Sequence, residues 1–320
     1  MPVTVIGCGD VRLATAAARG LDRRDVAAAV HEALELGIRL VDVADEPDAE
    51  RLCADAIRSL RLRDAVVLAS RVSTVPPVPG RPNRDVLPER LPPRYVQERV
   101  EATLRATRLD VIPLVQLPLR AAWRTSTAWP ELAGTCTRLA REGKALQFAA
   151  LVDDVEGAAD FENDPWLVAL SIEYNACARA AAPLLDGRLP ILARHPLAGG
   201  ALAGTLGPGV RLTPRDDRND LDDATLERIA TAVAKLARLV KHEPPAARSC
   251  EAAKAALEHT RRPDHLEATN VAELALRYVC DRAIALPRLH RRQHLVDALA
   301  AASAPPLSQP LRERIEELLA

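Results

Sequence analysis

The chain has 320 residues, 48% of them hydrophobic, with 43 basic against 44 acidic residues and a formal net charge of -1. That balance leaves no nucleic-acid or polybasic-membrane footprint, so the charges that matter are local and the expected partner is a small-molecule ligand or a protein. The length suits one α/β barrel domain over residues 1–320; no apolar run reaches the roughly 20 residues of a membrane span, the N-terminus lacks the order of a secretory signal, and a cytoplasmic location is expected.

Short apolar runs alternate with helical periodicities through almost the whole chain, the pattern of repeated βα units around a parallel sheet. Strands are predicted over residues 3–8, 40–43, 65–70, 111–117, 145–151, 167–172, 191–193 and 283–286. Their near-continuous apolarity suits strands buried on both faces. Helices are predicted over 24–36, 49–60, 93–106, 129–142, 154–159, 178–185, 226–241 with 270–279, and 293–302. A C-terminal tail, 303–320, carries a last helix over 311–319. Three segments read as long loops: 73–92, rich in Pro and Arg; 195–223, rich in Gly and Asp; and 242–269, which holds an insertion over 243–269 with its own short helix, 251–259.

The six cysteines are far apart and form no Cys-x-x-Cys pair, so no zinc or redox motif is indicated and no metal site is expected. Aromatic residues are scarce, so Ala, Leu, Val and Ile must build the core and any pocket lacks stacking surfaces. In a barrel of this kind the working groups project from the C-terminal strand ends. Read in order, those ends deliver Asp10, Asp42, Arg71, Gln116 to Pro118, Leu151 with Val152, Glu173, Arg194 with His195, and Arg288 to Arg292.

Several motifs then carry a resemblance that covers nearly the whole chain. Residues 32–42, Glu-Ala-Leu-Glu-Leu-Gly-Ile-Arg-Leu-Val-Asp, are similar to the helix, glycine and strand that end in the catalytic Asp of the aldo-keto reductase superfamily. Residues 141–144, Arg-Glu-Gly-Lys, resemble its segment before strand five, and Glu173-Tyr174-Asn175 its strand-six end. Residues 193–204 resemble the loop after strand seven and residues 272–279 the helix before strand eight. The resemblance implies a (β/α)8 TIM barrel of aldo-keto reductase type, here expected to lack the N-terminal hairpin.

The superfamily reduces carbonyls with NADPH, using an Asp, a Tyr acid, a Lys that lowers the Tyr pKa, and a substrate-orienting His. Of these only Asp42 is matched: the Tyr position falls on Pro47, the Lys position on Arg71 and the His position on Pro118. Two prolines cannot transfer a proton, and a guanidinium stays charged where a lysine would titrate, so an Asp42–Arg71 ion pair is expected. The Ser-Asn pair that holds the nicotinamide carboxamide falls on Leu151-Val152, and the neighbouring Gln on Glu173. After strand eight the phosphate-binding positions fall on Arg288 and His290, with the adenine-facing positions on Asp297 and Ala298. Asp10 stands where a small hydroxyl residue is common, an unfavourable charge beside a dinucleotide phosphate.

Arg288, His290, Arg291 and Arg292 crowd the start of the last barrel helix, where each cation opposes the helix dipole at a cost of a few tenths of a kcal/mol. A bound phosphate removes that conflict; solvent screening of an arginine cluster is the other reading. Arg288, His290, Arg291 and Asp297 are therefore the candidate cofactor-binding residues, with NADP or no cofactor at all as the alternatives. Three functions remain open. One is a non-reducing binding or regulatory subunit. Another is an NADP-dependent oxidoreductase with His195 as substitute acid. The last is a cofactor-independent lyase, isomerase or cyclase, with Asp42, Asp45, Glu46 or Glu173 as base and Arg71 and Arg194 holding an anionic substrate.

Overall fold

The computed structural model describes residues 5–76, 85–207, 209–214, 216–240, 268 and 270–319. Eight strands follow one another in sequence and space: β1 (Cys8–Val11), β2 (Leu40–Val43), β3 (Val67–Arg71), β4 (Ile112–Pro118), β5 (Ala145–Val152), β6 (Leu167–Glu173), β7 (Ile191–Arg194) and β8 (Ile284–Ala285). Every neighbouring pair is parallel. The ring closes where Ile6 bridges Ala285, with Gly7 N–H donating to Ala285 O at 2.9 Å and Ala285 N–H to Val5 O at 2.9 Å. A (β/α)8 barrel is thus the observed architecture.

The first strand corrects the expected 3–8. Residues 1–4 lie outside the described set, and pairing with β2 begins only at Cys8. On its other side the chain runs close against the segment after β8: Gly9 N–H donates to Pro287 O at 2.8 Å, and a Cβ on Gly9 would sit 2.1 Å from the Leu286 carbonyl oxygen. From Cys8 to Val11 the chain advances three residues while its partner advances two, from Val41 to Val43. That bulge places Asp10 at φ 45°, a left-handed conformation that non-glycine residues adopt at some cost.

The helices are α1 (Leu13–Ala18), α2 (Arg23–Glu35), α3 (Pro47–Ser59), α4 (Leu87–Arg90), α5 (Pro93–Thr107), α6 (Trp129–Arg141), α7 (Asp223–Leu236), α8 (Val271–Cys280), α9 (Arg292–Ser303) and α10 (Gln309–Leu318). Their starts are written locally. Asp22 accepts from Arg24 N–H at 2.7 Å and Asp25 N–H at 2.9 Å to cap α2, Asn270 accepts from Glu273 N–H at 2.7 Å to cap α8, and prolines open α3 and α5. α10 lies within the predicted tail. Residues 243–267 and 269 of the predicted insertion, with its helix 251–259, are outside the described residues.

Two expected barrel helices, 154–159 and 178–185, are absent. Short 3-10 turns, Ala158–Asn163 and Ala182–Leu184, stand in their places. Gly157 enters the first at φ 72° and Pro183 interrupts the second, so neither run is long enough to offset the cost of helix nucleation. The outer sides of β5 and β6 are instead sealed by aromatic packing, with ring centroids 6.0 Å apart for Trp129 and Phe161, 5.7 Å for Trp129 and Trp166, and 6.4 Å for Phe148 and Trp166.

Inside the barrel Ala69, Leu114, Ala149, Ala169, Leu192 and Leu286 form their own buried cluster. Strand alternation puts the residue two positions further along each strand on the same face. The layer above this apolar plug is therefore Arg71, Gln116, Leu151, Ser171, Arg194 and Arg288, joined by Asp42. The fold exchanges an apolar lumen for a charged mouth within one side-chain layer.

Candidate functional site

Asp42 is fully buried, and its carboxylate is saturated. Oδ1 accepts from Arg71 Nε at 2.8 Å and from Gln116 Nε2 at 2.7 Å; Oδ2 accepts from Asp10 N–H at 2.8 Å and from Arg71 Nη2. The pair expected from sequence is present, and it extends further. Arg71 Nη1 donates to Asp10 Oδ1 at 2.9 Å, and Asp10 Oδ2 accepts from Arg288 Nε at 2.8 Å and from Arg288 Nη2. Arg12 Nη2 approaches Asp10 Oδ1 at 3.5 Å. The result is a continuous chain of alternating charge, Asp42–Arg71–Asp10–Arg288, across the barrel mouth.

Burial alone would raise the Asp10 pKa, but Arg71, Arg288 and Arg12 outweigh it and hold the carboxyl far below the usual range. Burial likewise works against the Arg71 charge, and the Asp42 and Asp10 carboxylates overcome it and raise the guanidinium pKa. Both groups are fixed in their charged forms. Neither can exchange a proton near neutral pH, so the chain of charge is a structural lock rather than a relay.

A cavity of about 820 Å³ opens above this lock, with Arg71, Asp10 and Leu286 among its lining residues. One wall carries Glu173, Asn175, Arg194 and His195. Arg194 Nη2 donates to Val152 O and to Asp153 Oδ1, each at 2.7 Å. His195, at φ 50°, has its carbonyl held by Asn175 Nδ2 at 3.0 Å and its Nδ1 3.8 Å from Glu173 Oε1. Removal from bulk water lowers the His195 pKa, with Arg194 and Arg288 acting in the same direction and Glu173 against it. The described lining holds seven Arg or Lys side chains and two carboxylates, a strong positive bias in a chain whose formal net charge is -1.

A second cavity, of about 450 Å³, shares the lining residues Arg19, Thr205, Arg218, Arg288 and His294 with the first. Arg211, His290 and Arg291 also line the second space. His290 is 8% exposed, and its Nε2 is buried without a hydrogen-bond partner. Burial, reinforced by Arg288 and Arg19, pushes its pKa down to about 4. Asp297 takes no part in that wall. It accepts from Asn270 Nδ2 at 2.8 Å and from Gln293 Nε2 at 3.2 Å, tying α9 to the start of α8.

The other sequence candidates sit apart from the cavity floor. Pro47 is an exposed first residue of α3, and Pro118 ends β4 half-buried. Asp45 is engaged by Arg99 Nη2 and by Ser73 N–H at 2.9 Å. Glu46 accepts from Leu13 N–H at 2.6 Å and Ala14 N–H at 3.2 Å, closing the start of α1. These contacts make Asp45 and Glu46 structural rather than available bases. Sequence reasoning missed Arg19, Arg218, Arg228 and His294 as lining residues. None lies at a strand end, where the sequence pattern directed the search for working groups.

The model of the Aldo/keto reductase family matches residues 5–320. None of the curated proteins matches the chain in sequence. Among solved structures, the chain is similar to a holo-form aldo-keto reductase of Bacillus halodurans, with TM-score 0.65 and 18% identity over 99% of this chain and 92% of that one. It is also similar to a glycerol dehydrogenase of Gluconobacter oxydans, with TM-score 0.67 and 18% identity over 93% and 85% of the two chains. An aldo-keto reductase of Klebsiella pneumoniae in complex with NADPH gives 0.61 and 19% over 99% and 91%. At these identities the structural likeness is one of fold.

Proposed function

Because the chain belongs to the aldo/keto reductase family, we propose that it is a non-reducing member: a cytoplasmic binding or regulatory subunit that takes a small anionic ligand in the barrel mouth. The observation that carries this reading is the engagement of Arg71 by two carboxylates at the position where the family places its lysine. A proton-transfer site needs a group that titrates and a donor within reach. Here the guanidinium is locked charged. The three tyrosines of the chain lie elsewhere: Tyr95 on α5, and Tyr174 stacked on Tyr278 at a centroid distance of 5.9 Å, with the Tyr278 hydroxyl donating to Glu316. Burial, then Tyr174 and Glu316, push the Tyr278 pKa up, the wrong direction for an acid at neutral pH.

The residues fit a dinucleotide at one end only. The second cavity offers arginines and the unpartnered His290 Nε2 to a phosphoryl group. At the other end, Leu151 O is taken by Leu119 N–H at 2.9 Å, Val152 O by Arg194, and their side chains offer a carboxamide nothing. Glu173 presents only acceptors when ionised. No hydride step is derived from such a site.

His195, which shares its wall of the cavity with Glu173, supports the second reading, an oxidoreductase with a substituted acid. One experiment separates the two. The purified protein is titrated with NADPH and with inorganic pyrophosphate by calorimetry, and NADPH consumption is followed with a panel of aldehydes and ketones. Anion binding without consumption is expected; consumption that disappears in His195→Gln establishes the second reading instead.

A further inference from the structure

We propose that Arg71, Arg288 and Arg12 form an anion-binding site for a phosphate- or carboxylate-bearing ligand, and that the Asp10 carboxylate is its tethered, displaceable occupant. The inference deepens the anionic-ligand reading above, on which it rests, by saying what controls access to the site. Charge accounting supports it. Asp42 already neutralises Arg71 through two guanidinium nitrogens and takes Gln116 and the Asp10 N–H besides. Asp10 is therefore spent on Arg288, with Arg71 Nη1 at 2.9 Å and Arg12 at 3.5 Å as flanking contacts. Two carboxylate oxygens held by guanidinium groups from β3 and from the segment after β8 reproduce how a free anion is bound.

The backbone shows that this placement is built. The bulge in β1 and the φ of 45° re-aim a side chain that regular pairing with β2 would direct differently. Asp10, Arg71 and Arg288 all line the 820 Å³ cavity, and Arg288 also lines the 450 Å³ one. An anionic group entering from either side meets Arg288 already occupied. Binding there requires the Asp10 carboxylate to yield, which weakens ligands carrying one small anionic group and favours those with further charge for the surrounding arginines.

The test uses inorganic phosphate as probe at constant ionic strength, with the full chain and its Asp10→Asn and Asp10→Ser variants. Removing the carboxylate releases the donors it holds, Arg288 Nε and Nη2 and Arg71 Nη1, at the cavity wall. The variants are expected to bind phosphate at least tenfold more tightly than the unaltered protein, and to recover with phosphate a thermal midpoint they lose in its absence. The double change Asp10→Ser/Arg288→Gln is expected to abolish that phosphate response. Equal phosphate affinity in variant and parent overturns the proposal. So does failure of both variants to fold in phosphate, because a free anion is then unable to replace the tethered one. Phosphate gain in the variants is independent of NADPH consumption, so failure here is distinguishable from failure of the non-reducing reading.

Discussion

Replacing Arg71 with lysine restores the residue type of the family at that position, and the structure predicts that it weakens the protein. The guanidinium spans two carboxylates: Nε and Nη2 on Asp42, Nη1 on Asp10. A lysine ammonium is a point donor and reaches one of them. Each lost hydrogen bond to a buried charge costs about 1.5–3 kcal/mol, and the retained positive charge recovers part of the loss, so Arg71→Lys is expected to cost about 2–4 kcal/mol. Arg71→Met, which leaves both carboxylates without this partner, is expected to cost about 3–5 kcal/mol. Urea unfolding reads the difference as a lower midpoint at unchanged slope. A change below about 0.5 kcal/mol for both variants would refute the claim that the charge chain is a structural lock.

Two further outcomes follow from buried titratable groups. His290 has its pKa depressed from 6.5 to about 4, so it is neutral in the folded protein and its contribution, up to about 3 kcal/mol, is present above pH 6.5 and lost as pH falls through about 4; His290→Asn should flatten the stability profile across that window, and an unchanged profile would count against the burial argument. Glu50 is fully buried; Oε1 accepts from Ser70 Oγ at 2.7 Å and Thr103 Oγ1 at 2.8 Å, while Oε2 has no partner. Burial raises its pKa against the opposing pull of those two hydroxyls, so its ionisation opposes folding at neutral pH and the opposition fades as pH falls through the raised pKa. Glu50→Gln keeps both hydroxyl contacts and should raise the thermal midpoint at neutral pH by about 2 °C or more; a fall would show that the carboxylate is favourable where it stands.

The barrel was legible because its strands are short apolar runs buried on both faces, and β2 was legible to the residue, with Asp42 in place. Helices with a written start were legible too, as at Pro93 for α5. The two helices expected after β5 and β6 failed because six- and eight-residue periodicities containing Gly157 and Pro183 looked amphipathic without being long enough to nucleate. At the site, Asp42 and Arg71 could be paired because the family resemblance set both at neighbouring strand ends and a guanidinium stays charged. The role of Asp10 could not, because it depends on a bulge in β1 and on Arg288 arriving from the far end of the chain. The same holds for Arg19 and Arg218, which reach the cavities from loops whose path no local pattern specifies.

The proposed non-reducing function requires that the barrel mouth hold no working proton donor for carbonyl reduction. Single-turnover conditions test it most directly: protein in excess over NADPH, a reactive aldehyde in large excess, and the alcohol product quantified by mass spectrometry against a protein-free control. No alcohol above the control is expected, in the unaltered protein and in Arg71→Lys alike. Stoichiometric alcohol from the unaltered protein, lost in Asp42→Ala variants that still fold, would contradict it.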